Sequence, residues 1–474
     1  MKTTAADLLF IPEIIGLDAR SSIVRIPPEL DVPLTPRVRR IVDSRAFRRL
    51  ADVSQLGFVR FVYPGATHTR FEHSLGVYRL SLVLLKRLAH DERFASLVRV
   101  EEAETFILAA LLHDVGHFPY CHLIEDLKLP EVASHEELAT DYITGELGPL
   151  LRDDWGIKPE NVLDILLKRA PRRQENETDE GFARREKVFR LLASALSGPI
   201  DVDKMDYLMR DSCGSGVPYG KNYDIDRLVG SLRLNERGDG IAISSKGKTA
   251  AELMVFARYV MFSEVYWHHA ARSATVMFQR LVALLSEKLG AREFIDEFRR
   301  KSDREVGAFL FSCCGSSKGT TPALDREATR LCDGLFGERR LLFKRVRQFS
   351  AMEEPELYRR IAGRPYREIM ELSRRLAIQF GIREDDVLVD APPVDKEVEF
   401  KIDVFYPDEG SYRPLAEASP VVRALAREQF DDYVKRARIF ASSESVSALR
   451  SAPNFNRLLE EALNEVDVLN KRQI

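Results

Sequence analysis

Seven of the chain's nine histidines fall between His68 and His135, inside a stretch whose apolar residues keep a helical period. Leu75, Tyr78, Leu82, Leu85 and Leu88 recur at threes and fours, and residues 106–112 form a compact apolar run that ends at His113 and Asp114. Such a chain has to bury helix faces while giving each emerging imidazole and carboxylate a partner. Helical patterns continue over residues 134–147, 161–168, 181–197, 203–210, 250–266 and 270–289. One interruption reads as a β-hairpin: Leu232 to Leu234 and Ile241 to Ile243 flank a turn containing Asn235, Gly238 and Gly240.

The ends of the chain differ from this helical body. Residues 1–36 are punctuated by Pro12, Pro27, Pro28, Pro33 and Pro36, which suits an extended lead-in with strand character at 22–26. Beyond a boundary near Ala291, Val398, Phe400, Ile402, Val404 and Tyr406 alternate with polar residues as a strand does, and helices are expected at 420–438 and 448–469. Polar stretches at 171–185 and 313–321 read as surface loops. The expected fold is mainly α: an extended lead-in (1–36), a helical body with a small β-hairpin (37–290) and a smaller α+β C-terminal region (291–474) suited to assembly or regulation.

Composition narrows the function classes. The 474 residues allow two or three domains, and 71 Lys+Arg against 74 Asp+Glu leave a net charge of −3. That balance argues against nucleic-acid binding through bulk positive potential. The five cysteines form no C-x-x-C pair, so neither a disulfide framework nor a thiolate zinc site is supported. The apolar runs are far shorter than the roughly 18 residues that span a bilayer, and a soluble cytoplasmic protein without membrane contact is expected.

The chemistry concentrates at three segments. If the helix that ends the apolar run continues for a turn, His113 and His117 share a face, with Asp114 beside them. An adjacent His and Asp can supply a nitrogen and an oxygen to one divalent ion, a donor set that suits Mn, Fe, Zn or, less well, Mg. Upstream, Arg70, Glu72 and His73 open an apolar-periodic helix; downstream, Asp203, Tyr207 and Asp211 stand at i, i+4 and i+8 and would line one helix face.

These segments, in this order and spacing, resemble the HD-domain metal-dependent phosphohydrolases and, more narrowly, the deoxynucleoside triphosphate (dNTP) triphosphohydrolases. The resemblance covers residues 43–285 well and the C-terminal part loosely. It implies a helical HD-domain core with His73, His113, Asp114 and Asp203 as ligands of a divalent metal. His117, His122 and His135 would be catalytic, with Glu125 orienting His122, although the family often has Asp at that position. Arg70 and Lys204 would contact the triphosphate; Gln55, Leu56, Tyr207 and Asp211 would read the sugar, recognising the 3′-hydroxyl and closing against a 2′-hydroxyl. A nucleotide activator would be held by Asp43, Arg340 and Lys344, but Ala51 stands where the family's activator segment has a basic residue. After the hairpin, positions at which some members touch substrate correspond to Val265 and Ser273. A homo-oligomer, dimer or tetramer, is implied as well.

The reaction expected from the resemblance is hydrolysis of a dNTP to deoxynucleoside and tripolyphosphate. Two alternatives keep the same residues. One is an HD phosphohydrolase of another nucleotide, such as a monophosphate, a cyclic nucleotide or guanosine tetraphosphate; the alarmone hydrolases carry an acidic pair after the His-Asp, where this chain has Gly116 and His117. The other is a non-catalytic nucleotide-sensing or nucleic-acid-binding scaffold.

Overall fold

The computed structural model describes residues 4–173, 177–316, 321–394, 401–425 and 430–471. The helical body forms as its periodicity predicts. Its central pair is Arg70–Leu88 and Val100–Leu112, whose apolar faces are buried against one another and against Val202–Ser215. His135–Thr144, Pro159–Leu166 and Asp179–Ser197 close around this pair, and His269–Leu289 is the buried spine of a second core. That second core joins Phe58, Phe118 and Tyr120 to residues on both sides of Ala291, including Phe298, Leu331 and Phe343.

The hairpin forms, with Leu232 opposite Ile243, Leu234 opposite Ile241 and Gly238 at φ 72° in its turn. It does not stand alone. Ile241–Ser244 pairs in parallel with Asp403–Tyr406, which pairs antiparallel with Ser411–Pro414, so the C-terminal region completes a four-stranded sheet on the helical body. Val398 and Phe400, expected in that strand, lie outside the described residues, as do 174–176 and 317–320 of the two polar stretches. A second sheet runs Lys344–Ser350, Arg436–Ala441, Val387–Asp390, all antiparallel, and packs on the helix Tyr366–Gln379, which in turn packs on Phe455–Lys471. No helix among the described residues is long and apolar enough to cross a membrane.

Several expectations are corrected. The lead-in begins with two short helices, Ala5–Leu9 and Pro12–Gly16, before the hairpin Ile23–Ile26 and Leu30–Pro33. Thr4 caps the first through a capping box with Asp7, and Pro12 occupies the first turn of the second, where its missing N–H costs nothing. Residues 250–266 form the helix Lys248–Val260 followed by a π-helical turn, Met261–Tyr266. The helix expected over 420–438 divides into Pro420–Ala424 and Phe430–Val434 and then gives way to the strand Arg436–Ala441, which is buried between two neighbours; 426–429 lie outside the described residues. Pro453 interrupts the last predicted helix, leaving Val446–Ser451 and Phe455–Lys471.

One close approach positions the site. A Cβ on Gly76 would overlap the carboxylate of Asp206 and the guanidinium of Arg210, so only glycine lets Arg70–Leu88 lie this near Val202–Ser215. Overpacking of this kind costs about 1–3 kcal/mol or more. The variant Gly76→Ala is therefore expected to lower the thermal unfolding midpoint and, by pushing Asp206 off His73, to reduce retained divalent metal. A protein that keeps both its wild-type midpoint and its metal content would show that this contact is not required.

Candidate active site

The Arg70–Leu88 helix starts at Thr69 and carries Arg70 and His73 in its first turn, both buried. His73 Nδ1 lies 2.8 Å from Asp206 Oδ2, and Asp206 is itself gripped by Arg210 through two 2.8 Å bonds. This fixes the ring so that Nε2 points the other way, 3.0 Å from Asp203 Oδ1, 3.1 Å from His113 Nε2 and 3.8 Å from Asp114 Oδ2. His113 Nδ1 is 3.0 Å from the Ala110 carbonyl, which likewise turns its Nε2 inward, 3.5 Å from Asp114 Oδ1 and 3.7 Å from Asp203 Oδ1. His73, His113 and Asp114 thus bring one ligand atom each within 4.8 Å of the others, a spacing that suits ligands about 2.0–2.2 Å from one ion, and Asp203 stands beside both imidazoles.

The electrostatics fit a cation at this point. Burial disfavours charge on His73, yet the carboxylates of Asp203, Asp206 and Asp114 outweigh it and raise the ring to about 10. Asp114 is buried, but the Arg70 guanidinium at 2.8 Å and the neighbouring His113 hold it well below the usual carboxylate range. Asp203 is lowered despite burial by His73 and His113. A buried imidazole that captures a proton this strongly marks an excess of negative charge that a bound metal would neutralise.

His113 and His117 do not share a helix face. The helix stops at Leu112 with His113 as its cap, and the chain turns through Asp114 to Gly116, where a Cβ would collide with the backbone of His135 and Ala139. Arg49, half-buried over the Tyr142 ring at 4.4 Å, donates to the carbonyls of Val115 and His117 and holds this turn. The turn sends His117 away from His113 into a second histidine group. His117 Nε2 lies 3.2 Å from His122 Nε2, and the His117 and His135 rings are 3.9 Å apart.

Glu125 braces that second group. Its carboxylate accepts the His135 backbone N–H at 2.6 Å and lies 2.9 Å from His135 Nδ1 and 3.2 Å from His122 Nδ1. Burial opposes its charge, but His122 and His135 hold its carboxyl far below the ordinary range, and against burial Glu125 in turn raises His135. His117 goes the opposite way: burial and nearby Arg70 push it well below 6.5, so it is a neutral imidazole. The short helix Cys121–Glu125 that carries His122 and Glu125 starts from Tyr120, a left-handed residue at φ 54° stacked on Phe58 with centroids 4.5 Å apart.

Both histidine groups open on one cavity of about 450 Å3, whose wall includes Gln55, Leu56, Arg70, Asp203, Tyr207 and Asp211. The i, i+4, i+8 series on Val202–Ser215 does face a common space. Lys204 does not line it: its Nζ is 2.6 Å from Asp201 Oδ2, the N-cap of the same helix. Asp43 is exposed near Arg48, whereas Arg340 and Lys344 line a separate pocket of about 250 Å3 together with Arg345 and Arg450. Val265 is core, and Ser273 donates to the Phe343 carbonyl at 2.7 Å, so neither faces substrate.

Three functional neighbours escaped the sequence reading. Asp206 orients His73, and its signal was its place three residues after Asp203. Tyr266 lines the cavity and donates to Asp211 Oδ2 at 2.6 Å, while His68 Nε2 sits 2.8 Å from Asp211 Oδ1. Both meet Asp211 from distant segments, and no local spacing announces them.

Known proteins carry the same organisation. The HD domain model matches residues 70–208 and the HD associated region model matches 223–460. An uncharacterized protein of Methanocaldococcus jannaschii is 27% identical over 452 residues, covering 94% of this chain and 84% of that one. The human deoxynucleoside triphosphate triphosphohydrolase SAMHD1 is 27% identical over 267 residues, 52% of this chain and 42% of SAMHD1, so the chain spans less than half the length of that relative. A crystal structure of a hypothetical protein from Aquifex aeolicus superposes with a TM-score of 0.66 at 28% identity, over 90% of this chain and 98% of that one. With the HD domain, the region that accompanies it and the His-Asp centre in place, the chain belongs to the HD-domain phosphohydrolase superfamily.

Proposed function

We propose that the protein hydrolyses deoxynucleoside triphosphates to deoxynucleoside and tripolyphosphate by attack at the α-phosphorus. One observation carries this reading: the His-Asp centre and the Glu125-braced histidines open on a single cavity whose wall also includes Gln55, Leu56, Tyr207 and Asp211. The kinship with SAMHD1, which acts on dNTPs by its name, supports the same substrate class.

His73, His113, Asp114 and Asp203 would hold the divalent ion, of the Mn, Fe, Zn or Mg type. When bound, such an ion polarises a phosphoryl oxygen and lowers the pKa of water. Arg70, anchored on Asp114, presents its remaining donors to the cavity and would stabilise negative charge on the phosphoryl group. His122, its ring largely exposed and its Nδ1 held by Glu125, is placed to pass a proton to the departing oxygen, with His135 sharing the same carboxylate. Neutral His117 would accept or donate a hydrogen bond without adding charge. Tyr207, beside the Asp211–Tyr266–His68 cluster, would read the deoxyribose and exclude a 2′-hydroxyl. An activating nucleotide would sit in the pocket of Arg340, Lys344, Arg345 and Arg450, whose described lining has four cations and no carboxylate, and the working form would be a homo-oligomer.

Two measurements test this. Purified full-length protein incubated with each dNTP, singly and in pairs, with Mn2+, Mg2+ or Fe2+, is expected to release tripolyphosphate and the matching deoxynucleoside on ion-exchange chromatography; a requirement for a second dNTP would mark activation. Absence of both products under every combination would refute the reaction. In the second, Tyr207→Ala is expected to raise turnover of the ribonucleotide relative to its deoxy counterpart by about tenfold or more, since a wall that rejects one hydroxyl is removed. An unchanged ratio would remove Tyr207 from sugar selection.

A further inference from the structure

Asp303 lies outside both histidine groups, yet it is bonded to the segment that walls their cavity. It opens the helix Asp303–Cys314, beyond the Ala291 boundary, where an acidic residue is ordinarily explained by the positive end of the helix. That end is already capped by Ser302 and Glu305, and Asp303 Oδ2 instead accepts the N–H of Ser54, 249 positions earlier, at 3.2 Å. Ser54 needs such a partner because of its pairing. The Gln55 N–H donates to the His68 carbonyl and the Arg70 N–H to the Val53 carbonyl, both at 3.0 Å, and Ser54 stands opposite Thr69 in an antiparallel bridge. At such a position the N–H points out of the pair, and its acceptor has to come from another segment. Residues 53–55 are thus held on one edge by 68–70 and on the other by Asp303. Gln55 and its neighbour Leu56 line the cavity beside Arg70 and His73.

The surroundings do not favour a carboxylate here. Burial raises the Asp303 carboxyl, against hydrogen bonding from Ser54 and the charges of Arg60 and Arg70. Its Oδ1 is buried and makes no hydrogen bond among the described residues. A buried acceptor with no donor works against folding, so its retention calls for a role. We propose that Asp303 is a positioning residue for the cavity: by accepting the Ser54 N–H it fixes the segment that presents Gln55 and Leu56 to the nucleotide. The nucleotide in this statement rests on the dNTP reading above. Ser54 and Asp303 both lie outside residues 70–208, which match the HD domain, and Asp303 lies within the HD associated region. The C-terminal region therefore completes the substrate wall as well as packing on the helical body.

Two assays on the full-length chain test this, with circular dichroism to check that each variant folds. The first needs no nucleotide: amide hydrogen exchange read by mass spectrometry on peptides. Asp303→Ala is expected to speed exchange within residues 53–57 about tenfold while the helix Arg70–Leu88 exchanges as in wild type. Asp303→Asn keeps a side-chain oxygen for the Ser54 N–H and is expected to match wild type. The second assay is steady-state hydrolysis of a dNTP that wild type turns over. There Asp303→Ala is expected to raise KM about tenfold with kcat within about twofold, the pattern of lost binding without lost chemistry, and Asp303→Asn to restore KM. Unchanged exchange at 53–57 in Asp303→Ala, faster exchange spread evenly over the chain, or an Asp303→Asn variant as impaired as Asp303→Ala would overturn the role. If wild type hydrolyses no dNTP, the substrate reading falls and the exchange result alone decides the role of Asp303; an active wild type with unchanged exchange in Asp303→Ala leaves dNTP hydrolysis standing and removes Asp303.

Discussion

The approach of two helices at Gly76 sets the geometry on which the site depends. Arg70–Leu88 and Val202–Ser215 come close enough there for Asp206 to reach His73 Nδ1, and Arg210 keeps Asp206 from rotating away. A buried carboxylate without such partners would be strongly destabilising, whereas a carboxylate chelated by arginine is a rigid support. The rigidity passes to His73, whose Nε2 then has one direction available, toward Asp203 and His113. A site assembled from segments more than a hundred residues apart in sequence is thereby held by one interhelical contact rather than by a loop.

Charge is partitioned as sharply as geometry. The first histidine group gathers more carboxylate than cation, which is why His73 is raised to about 10 while Asp114 and Asp203 stay ionised. The second group has Glu125 and Asp114 behind it but Arg70 in front, and its members separate: His117 is kept neutral and His135 is raised. Two neighbouring imidazoles, one pushed down by burial and Arg70 and the other raised by Glu125, are a common basis for dividing tasks in one cavity. The chain reaches this with nearly balanced overall charge, because the local placement of Arg70, Asp114 and Glu125 matters and the net value does not.

Local signals in the sequence survived folding; non-local ones were mostly hidden. The hairpin at Leu232 and Ile243 was legible because turn residues and alternation lie within a dozen positions, and the long helices because their periodicity fixes which face is buried. The same periodicity misled at His113, where the expected extra turn is prevented by the crowding of Gly116 against His135 and Ala139, a contact between segments. Arg436–Ala441 read as helix because its strand partners, 344–350 and 387–390, are far away in the chain. At the site, motif order picked out His73, His113, Asp114, Asp203, Tyr207 and Asp211, which do line one cavity, while His68 and Tyr266, which occupy both oxygens of Asp211, have no spacing that ties them to it. Lys204 matched its motif, yet in the structure it serves Asp201.

The C-terminal region therefore bears on the cavity through Tyr266. That residue ends the π-helical turn Met261–Tyr266, and the next, Trp267, is fixed by the second sheet: Arg438 donates to its carbonyl at 2.9 Å, and the Arg272 guanidinium lies 4.5 Å over its ring. Arg272 and Arg438 share Asp390, a fully buried carboxylate on the strand Val387–Asp390, with Arg272 bonded to both of its oxygens. Buried pairs of this kind contribute less to net stability than to fixing one arrangement, because breaking them strands a charge at a cost of about 3–5 kcal/mol. Here the fixed arrangement sets where the Tyr266 hydroxyl meets Asp211. Sheet and cavity are joined by a chain of four contacts, Asp390 to Arg272 to Trp267 to Tyr266 to Asp211, so a displacement of the C-terminal sheet would be transmitted to the Asp211 side of the cavity before it reached either histidine group.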